Sequence, residues 1–183
     1  MRMTALIIAL TLLGASSFFG AQVANPSASR GTRRDYYAHL KPEHRTVLRA
    51  WLKNRPWLRP AIEEVDSVFK DEPKLIRAGI GKDVNQYYSV GDFNHDGKED
   101  FAVLLADRRY LEDGFALAVF NGRLKKNQSP AYYEEKFDYI SNSYLVFNDD
   151  GKKHLFLGVF ESDWYCMTLL PRGRGYRYKD CNR

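Results

Sequence analysis

From Val84 to the C-terminus the chain is cut into short runs of β-branched, aromatic and leucine residues. These are Val84, Gln86–Val90, Phe101–Ala106, Phe115–Phe120, Tyr144–Phe147, Leu155–Phe160 and Tyr165–Leu170. Runs of this length are too short for a helix with a buried face, and their composition suits a pleated, half-buried surface. Turn pairs separate them at Asp113-Gly114, Asn121-Gly122, Asp150-Gly151 and Gly173 to Gly175. The pattern upstream is helical. Pro42 suits a first helical turn, Val47, Leu48, Trp51 and Leu52 share one face, and Pro56 stops the helix because the residue before a proline resists the helical region. Ile62, Val65, Val68 and Phe69 fit either a second short helix opened by Pro60 or a strand. Helix first and strands afterwards predict an α+β fold, with an N-terminal helical segment packed on an antiparallel β-meander in a single domain spanning 35–183.

The first residues read as an export signal. Arg2 supplies the charge, Ala5 to Leu13 the apolar stretch, and Gly14 to Ala21 the small residues. Cleavage fits after Ser17 or after Ala21, and Ala21 is favoured if Phe18 and Phe19 extend the apolar region. The signal is thus expected over 1–21. A flexible leader rich in Ser, Pro, Gly and Arg follows over 22–34. The apolar run is well short of a spanning helix and no later segment could span a bilayer, so no transmembrane segment is expected in the mature chain. The region holds no cysteine for a lipid anchor. A secreted or periplasmic location follows. The formal charge of +5 is modest and partly carried by Arg30, Arg33 and Arg34, which argues against nucleic acid as a partner.

Cys166 and Cys181 lie equidistant from a turn centred between Gly173 and Arg174. If the flanking segments form a hairpin, the cysteines face each other, and in an exported chain with two cysteines a disulfide is expected. Such a bridge would contribute about 3 kcal/mol in the chain-entropy description.

The chemistry is concentrated in Asp92 to Asp100, D-F-N-H-D-G-K-E-D. Asp92, Asn94, Asp96 and Asp100 place oxygen side chains at positions 1, 3, 5 and 9 of a loop. Gly97 stands where such a loop turns sharply, and the Lys98 carbonyl falls at position 7. Hard oxygen donors at alternate positions suit Ca²⁺. An EF-hand fits less well, because Val103 stands where its last ligand, a glutamate, would be, and a strand follows. The segment Val90 to Leu105, V-G-D-F-N-H-D-G-K-E-D-F-A-V-L-L, resembles the calcium loop of FG-GAP and VCBS-type repeats. That resemblance implies a loop joining two antiparallel strands, with Asp92, Asn94, Asp96, Lys98 (through its carbonyl) and Asp100 holding a structural calcium ion. It covers a single copy. The nearest echo, Asn148-Asp149-Asp150-Gly151-Lys152, lacks the final acid and reads as a hairpin turn.

Other candidates are weaker. His39, His44, His95 and His154 are scattered, and His95 occupies a non-ligand position of the loop, expected to face solvent. Glu161 and Asp163 beside Trp164 and Tyr165 read first as an acidic turn and second as a carboxylate pair for glycan chemistry. Glu63-Glu64 reads as a solvated helix face and Arg172-Gly173-Arg174 as a solvated hairpin tip. The doublets Tyr36-Tyr37, Tyr87-Tyr88 and Tyr132-Tyr133, where they fall in strands, would each put one ring in the core and one outside. The expected function is a calcium-stabilised binding or interaction domain with a protein or glycan partner outside the cytoplasm. The alternative is a small exported enzyme acting on glycans.

Overall fold

The computed structural model describes residues 34–67, 74, 77–78, 85–110, 114–138, 140–147, 151, 153–160 and 166–180. The export signal, nearly all of the leader, Val84, Glu161, Asp163 and Cys181 lie outside these residues, as do Asn148 to Asp150 and Lys152. In chain order the elements are α1 (Pro42–Leu52), β1 (Leu58–Pro60), α2 (Glu63–Asp66), β2 (Tyr88–Gly91), β3 (Asp100–Asp107), β4 (Phe115–Phe120), β5 (Tyr132–Phe137), a short 3-10 turn (Ile140–Asn142), β6 (Ser143–Phe147), β7 (Leu155–Val159), β8 (Cys166–Arg172) and β9 (Gly175–Asp180). The fold is α+β, and residues 34–183 form one unit.

β3 organises the domain. All of its residues are buried, as are all of those in β4. An antiparallel strand with one wet face would alternate apolar and polar residues; a run such as Phe101–Ala106 has no polar face to show water. Both faces of this sheet are accordingly covered. On one side Ala102, Leu104, Ala106, Leu117 and Val119 meet Leu145, Leu155, Leu157, Met167 and Leu169 of the second sheet. On the other, Phe101, Val103, Leu105, Ala116, Ala118 and Phe120 meet Val47, Leu48, Trp51 and Leu52 of α1. The predicted helix face is therefore core, with Trp51 set edge-on to Phe120 and Tyr133.

The first sheet runs β1-β3-β4-β5, and β2 shares with β1 the same edge of β3. Leu58–Pro60 pairs with Leu105–Asp107, whereas Tyr88–Gly91 pairs with Asp100–Val103. The second sheet is the meander β6-β7-β8-β9. Its last hairpin closes through Gly173-Arg174, with Arg172 opposite Gly175. Gly173 takes φ +61°, the left-handed region that a two-residue hairpin loop demands at its first position. The register sets Met167 opposite Asp180, one residue inside each cysteine. No described cysteine is a free thiol.

Several expectations are corrected. Pro60 ends β1 rather than opening a helix; the helical turn begins at Glu63, and Val65 on it is exposed. Tyr87 and Tyr88 are both buried, one facing each core, because neither face of the sheet is open. Tyr132 and Tyr133 likewise pack against opposite cores. Glu64 is exposed as expected, but Glu63 is part-buried: its carboxylate pairs with Arg77 at 2.9 Å and accepts the Gln86 N–H. β1 and β5 were not expected, since Leu-Arg-Pro is short and Tyr-Tyr-Glu-Glu-Lys-Phe carries charge at its centre.

Candidate functional site

The acidic run forms the hairpin loop between β2 and β3, closed by the pair Gly91–Asp100. Phe93 anchors it. Its ring is fully buried and lies 5.1 Å from that of Phe147 on β6. Gly91 is required beside it, because a Cβ there would fall 2.3 Å from the Phe147 ring. At the apex His95 and Gly97 take left-handed backbone, with φ +61° and +79°, and His95 is exposed as expected.

Side-chain oxygens hold the loop's shape by accepting its own amides. Asp92 accepts from Asp96 N and Gly97 N, both at 2.9 Å, and Asn94 also accepts from Asp96 N at 2.9 Å. Asp96 accepts from Lys98 N at 3.0 Å, and the Lys98 ammonium stands 3.4 Å from its other oxygen. A carboxylate oxygen has two lone pairs, so these acceptors each keep capacity for an ion. Asp100 differs. It is fully buried, and its Oδ2 accepts from Phe93 N, Asn94 N and the Tyr176 hydroxyl, while Oδ1 accepts from Gly122 N at 2.6 Å. Burial holds its carboxyl above the ordinary range, against the opposing pull of those donors. The one Tyr176 hydroxyl proton is shared between Asp100 at 3.2 Å and Asn121 at 2.8 Å, and burial, with the Asp100 charge second, raises its phenol. Asp100 thus ties three segments together: its own loop, the turn after β4, and β9 of the second sheet.

Asp92, Asn94 and Asp96 have the donor chemistry and remaining lone pairs to hold a hard cation; Asp100 has one uncommitted position, on Oδ1. The three aspartates do not draw together as a tight set. Among the described residues, the one group of three or more Asp, Glu, His or Cys side chains whose ligand atoms all lie within 4.8 Å of one another is Glu43, His44 and Glu99. Sequence reasoning passed over it because His44 looked isolated; α1 brings it to Glu99, a residue inside the acidic loop.

A cleft of about 300 Å³ lies among Asp35, Ala38, His39, Ile62, Glu63 and Glu64. His39 Nε2 is buried there without a hydrogen-bond partner among the described residues, and burial lowers the imidazole pKa. The tip Arg172-Gly173-Arg174 is exposed, as expected. No described helix is long and apolar enough to cross a membrane. Comparison with protein-family models, with curated proteins and with solved structures found no match.

Proposed function

We propose that this chain is an exported binding or interaction domain, secreted or periplasmic, whose acidic hairpin Asp92–Asp100 holds a structural calcium ion. The carrying observation is an imbalance of charge. Asp92 and Asp100 have no cationic partner among the described residues, and Lys98 serves Asp96 alone. Elsewhere in the domain, buried carboxylates are matched: Asp66 by Arg59 at 2.5 Å and Asp107 by Arg109 at 2.5 Å. Three aspartates in one nine-residue loop, one of them buried, leave negative charge that a hard divalent ion would neutralise. The hairpin setting between two antiparallel strands fits the FG-GAP and VCBS-type resemblance. The ion's role is to rigidify: it would fix a turn whose last residue, Asp100, pins β9 to the first sheet. The partner class is a protein or glycan outside the cytoplasm.

Melting the mature protein with calcium and with chelator tests the reading. At a free concentration about a hundred times its dissociation constant, calcium should stabilise the fold by about 2.7 kcal/mol. Asp96→Ala should remove most of that gain. Identical melting curves with millimolar calcium and with chelator would overturn the proposal.

A further inference from the structure

We infer that Glu43, His44 and Glu99 form a second metal site, suited to Zn²⁺, which takes one ligand from the acidic hairpin but none of the residues proposed to hold calcium. Two carboxylates and an imidazole are a borderline-soft donor set that a three-ligand zinc site uses, with a fourth position left for water. One ligand atom from each residue already lies within 4.8 Å of the others, and His44 Nε2 stands 3.6 Å from Glu99 Oε1. Ligands about 2.1 Å from a tetrahedral zinc sit about 3.4 Å apart. Small rotations of two exposed glutamates would close the set.

Carboxylates on a surface are common without a metal, and it is the imidazole that distinguishes this group. The His44 side chain is only 1% exposed. It stacks on Phe101 at 4.3 Å between ring centres and meets Tyr88 edge-on. Its Nδ1 is tied to the Tyr88 hydroxyl at 2.5 Å, so the ring's orientation is fixed. Nε2 stands beside Glu99 and makes no hydrogen bond among the described residues. The tautomer with its proton on Nδ1 donates to the Tyr88 oxygen and leaves the Nε2 lone pair free beside the Glu99 carboxylate. A metal-bound histidine is held by such an outer hydrogen bond.

Two features oppose a cation here. The first turn of α1 carries roughly half a positive charge from the helix dipole, which the two carboxylates outweigh. Lys41 holds Glu99 at 2.6 Å, but both partners are nearly half exposed, and surface pairs of this kind exchange readily. Lys41 is therefore a competitor, and this gives the proposal its sharpest test.

The experiment is calorimetric titration of the untagged mature protein with Zn²⁺ alone, with circular dichroism to check each variant's fold. One zinc per chain is expected. Glu99→Gln and Glu43→Gln should each weaken binding at least tenfold, and Tyr88→Phe by about 10–100-fold through the lost outer hydrogen bond. Lys41→Ala should tighten it, which a mere salt-bridge network would not do. His95 and His154, with ring centres 6.4 Å apart, offer zinc another place. Binding that survives Glu99→Gln and falls on His95→Ala would overturn the assignment, as would no zinc uptake by the wild type. The calcium reading fails separately, because Asp96→Ala should remove most of the calcium shift and leave zinc affinity unchanged.

Discussion

Asp100 and Asp107 stand at opposite ends of β3, both buried, yet they are held by different means. Asp107 has its own cation: Arg109 forks onto it, with Nε 3.0 Å from Oδ1 and Nη2 2.5 Å from Oδ2, and the Arg109 N–H adds a third donor. Burial alone would raise the Asp107 carboxyl, but the Arg109 hydrogen bonds outweigh it and hold it below the usual carboxylate range. Asp100 receives four neutral donors and no positive charge among the described residues, and burial holds its carboxyl up. One end of the strand is matched by a protein cation; the other is held by hydrogen bonds from neutral groups, with no cation among the described residues. The difference is the ground for proposing an ion at one end only.

The largest expected effect comes from removing each acid in turn. Asp100→Ala removes the acceptor of Phe93 N, Asn94 N, Gly122 N and, in part, Tyr176, one of these bonds buried and three part-buried, and should cost about 4 kcal/mol, since the donors it strands lie in three segments. Asp107→Ala should cost about 2 kcal/mol, because Arg109 can turn to water or to Glu135, 2.7 Å away. Urea unfolding of both variants checks this, and an Asp107 loss equal to or larger than the Asp100 loss would break the contrast.

Reduction is next. The Cys166–Cys181 bridge is expected in protein from its native compartment, and intact-mass analysis after alkylation without reduction decides it; two alkylated cysteines per chain would defeat the expectation. Reducing the bridge should cost about 3 kcal/mol. The loosening should reach the Asp100 end through Tyr176 on β9. Amide exchange should therefore quicken at Phe93, Asn94 and Gly122 and stay unchanged at Arg59 and Ala106, where β1 pairs with β3.

The smallest effect is a pH slope. Asp107 has a folded pKa below its ordinary 3.8, so the unfolded chain takes up the proton first. The Asp107 contribution is whole above pH 3.8 and declines as pH falls through the folded value. Glu135, lowered first by its Tyr133 hydrogen bond and then by Arg109, acts in the same direction from 4.5 downward. Asp107→Asn should flatten the acid limb of stability against pH; an unaltered limb would show that Arg109 does not hold the carboxylate in solution.

Much of this architecture was legible in the residues. α1 was marked by Pro42, by the stripe Val47, Leu48, Trp51 and Leu52, and by Pro56, because a helix buries one face at a regular interval. β3, β4, β6, β7 and the β8–β9 turn were marked by apolar runs and glycine-bearing turns. β5 was not, since Glu134 and Glu135 hide a strand whose tyrosines supply its packing. The alternating-face rule failed at Tyr87-Tyr88 for a related reason: it presumes one wet face.

The sequence by itself determined which residues could turn, which could pack, and where oxygen donors recur at alternate positions, because these depend on chain stereochemistry over a few residues. Only the tertiary structure decided that Asp100 is a buried hub reached from β9, that Asp107 has a cation while Asp100 has none among the described residues, and that His44 meets Glu99. Each of those depends on which distant segment fills the space beside a side chain. A local pattern specifies an element and its donors, but the charge and hydrogen bonds around a buried acid come from residues far away in the chain, brought close when two sheets and a helix share one core.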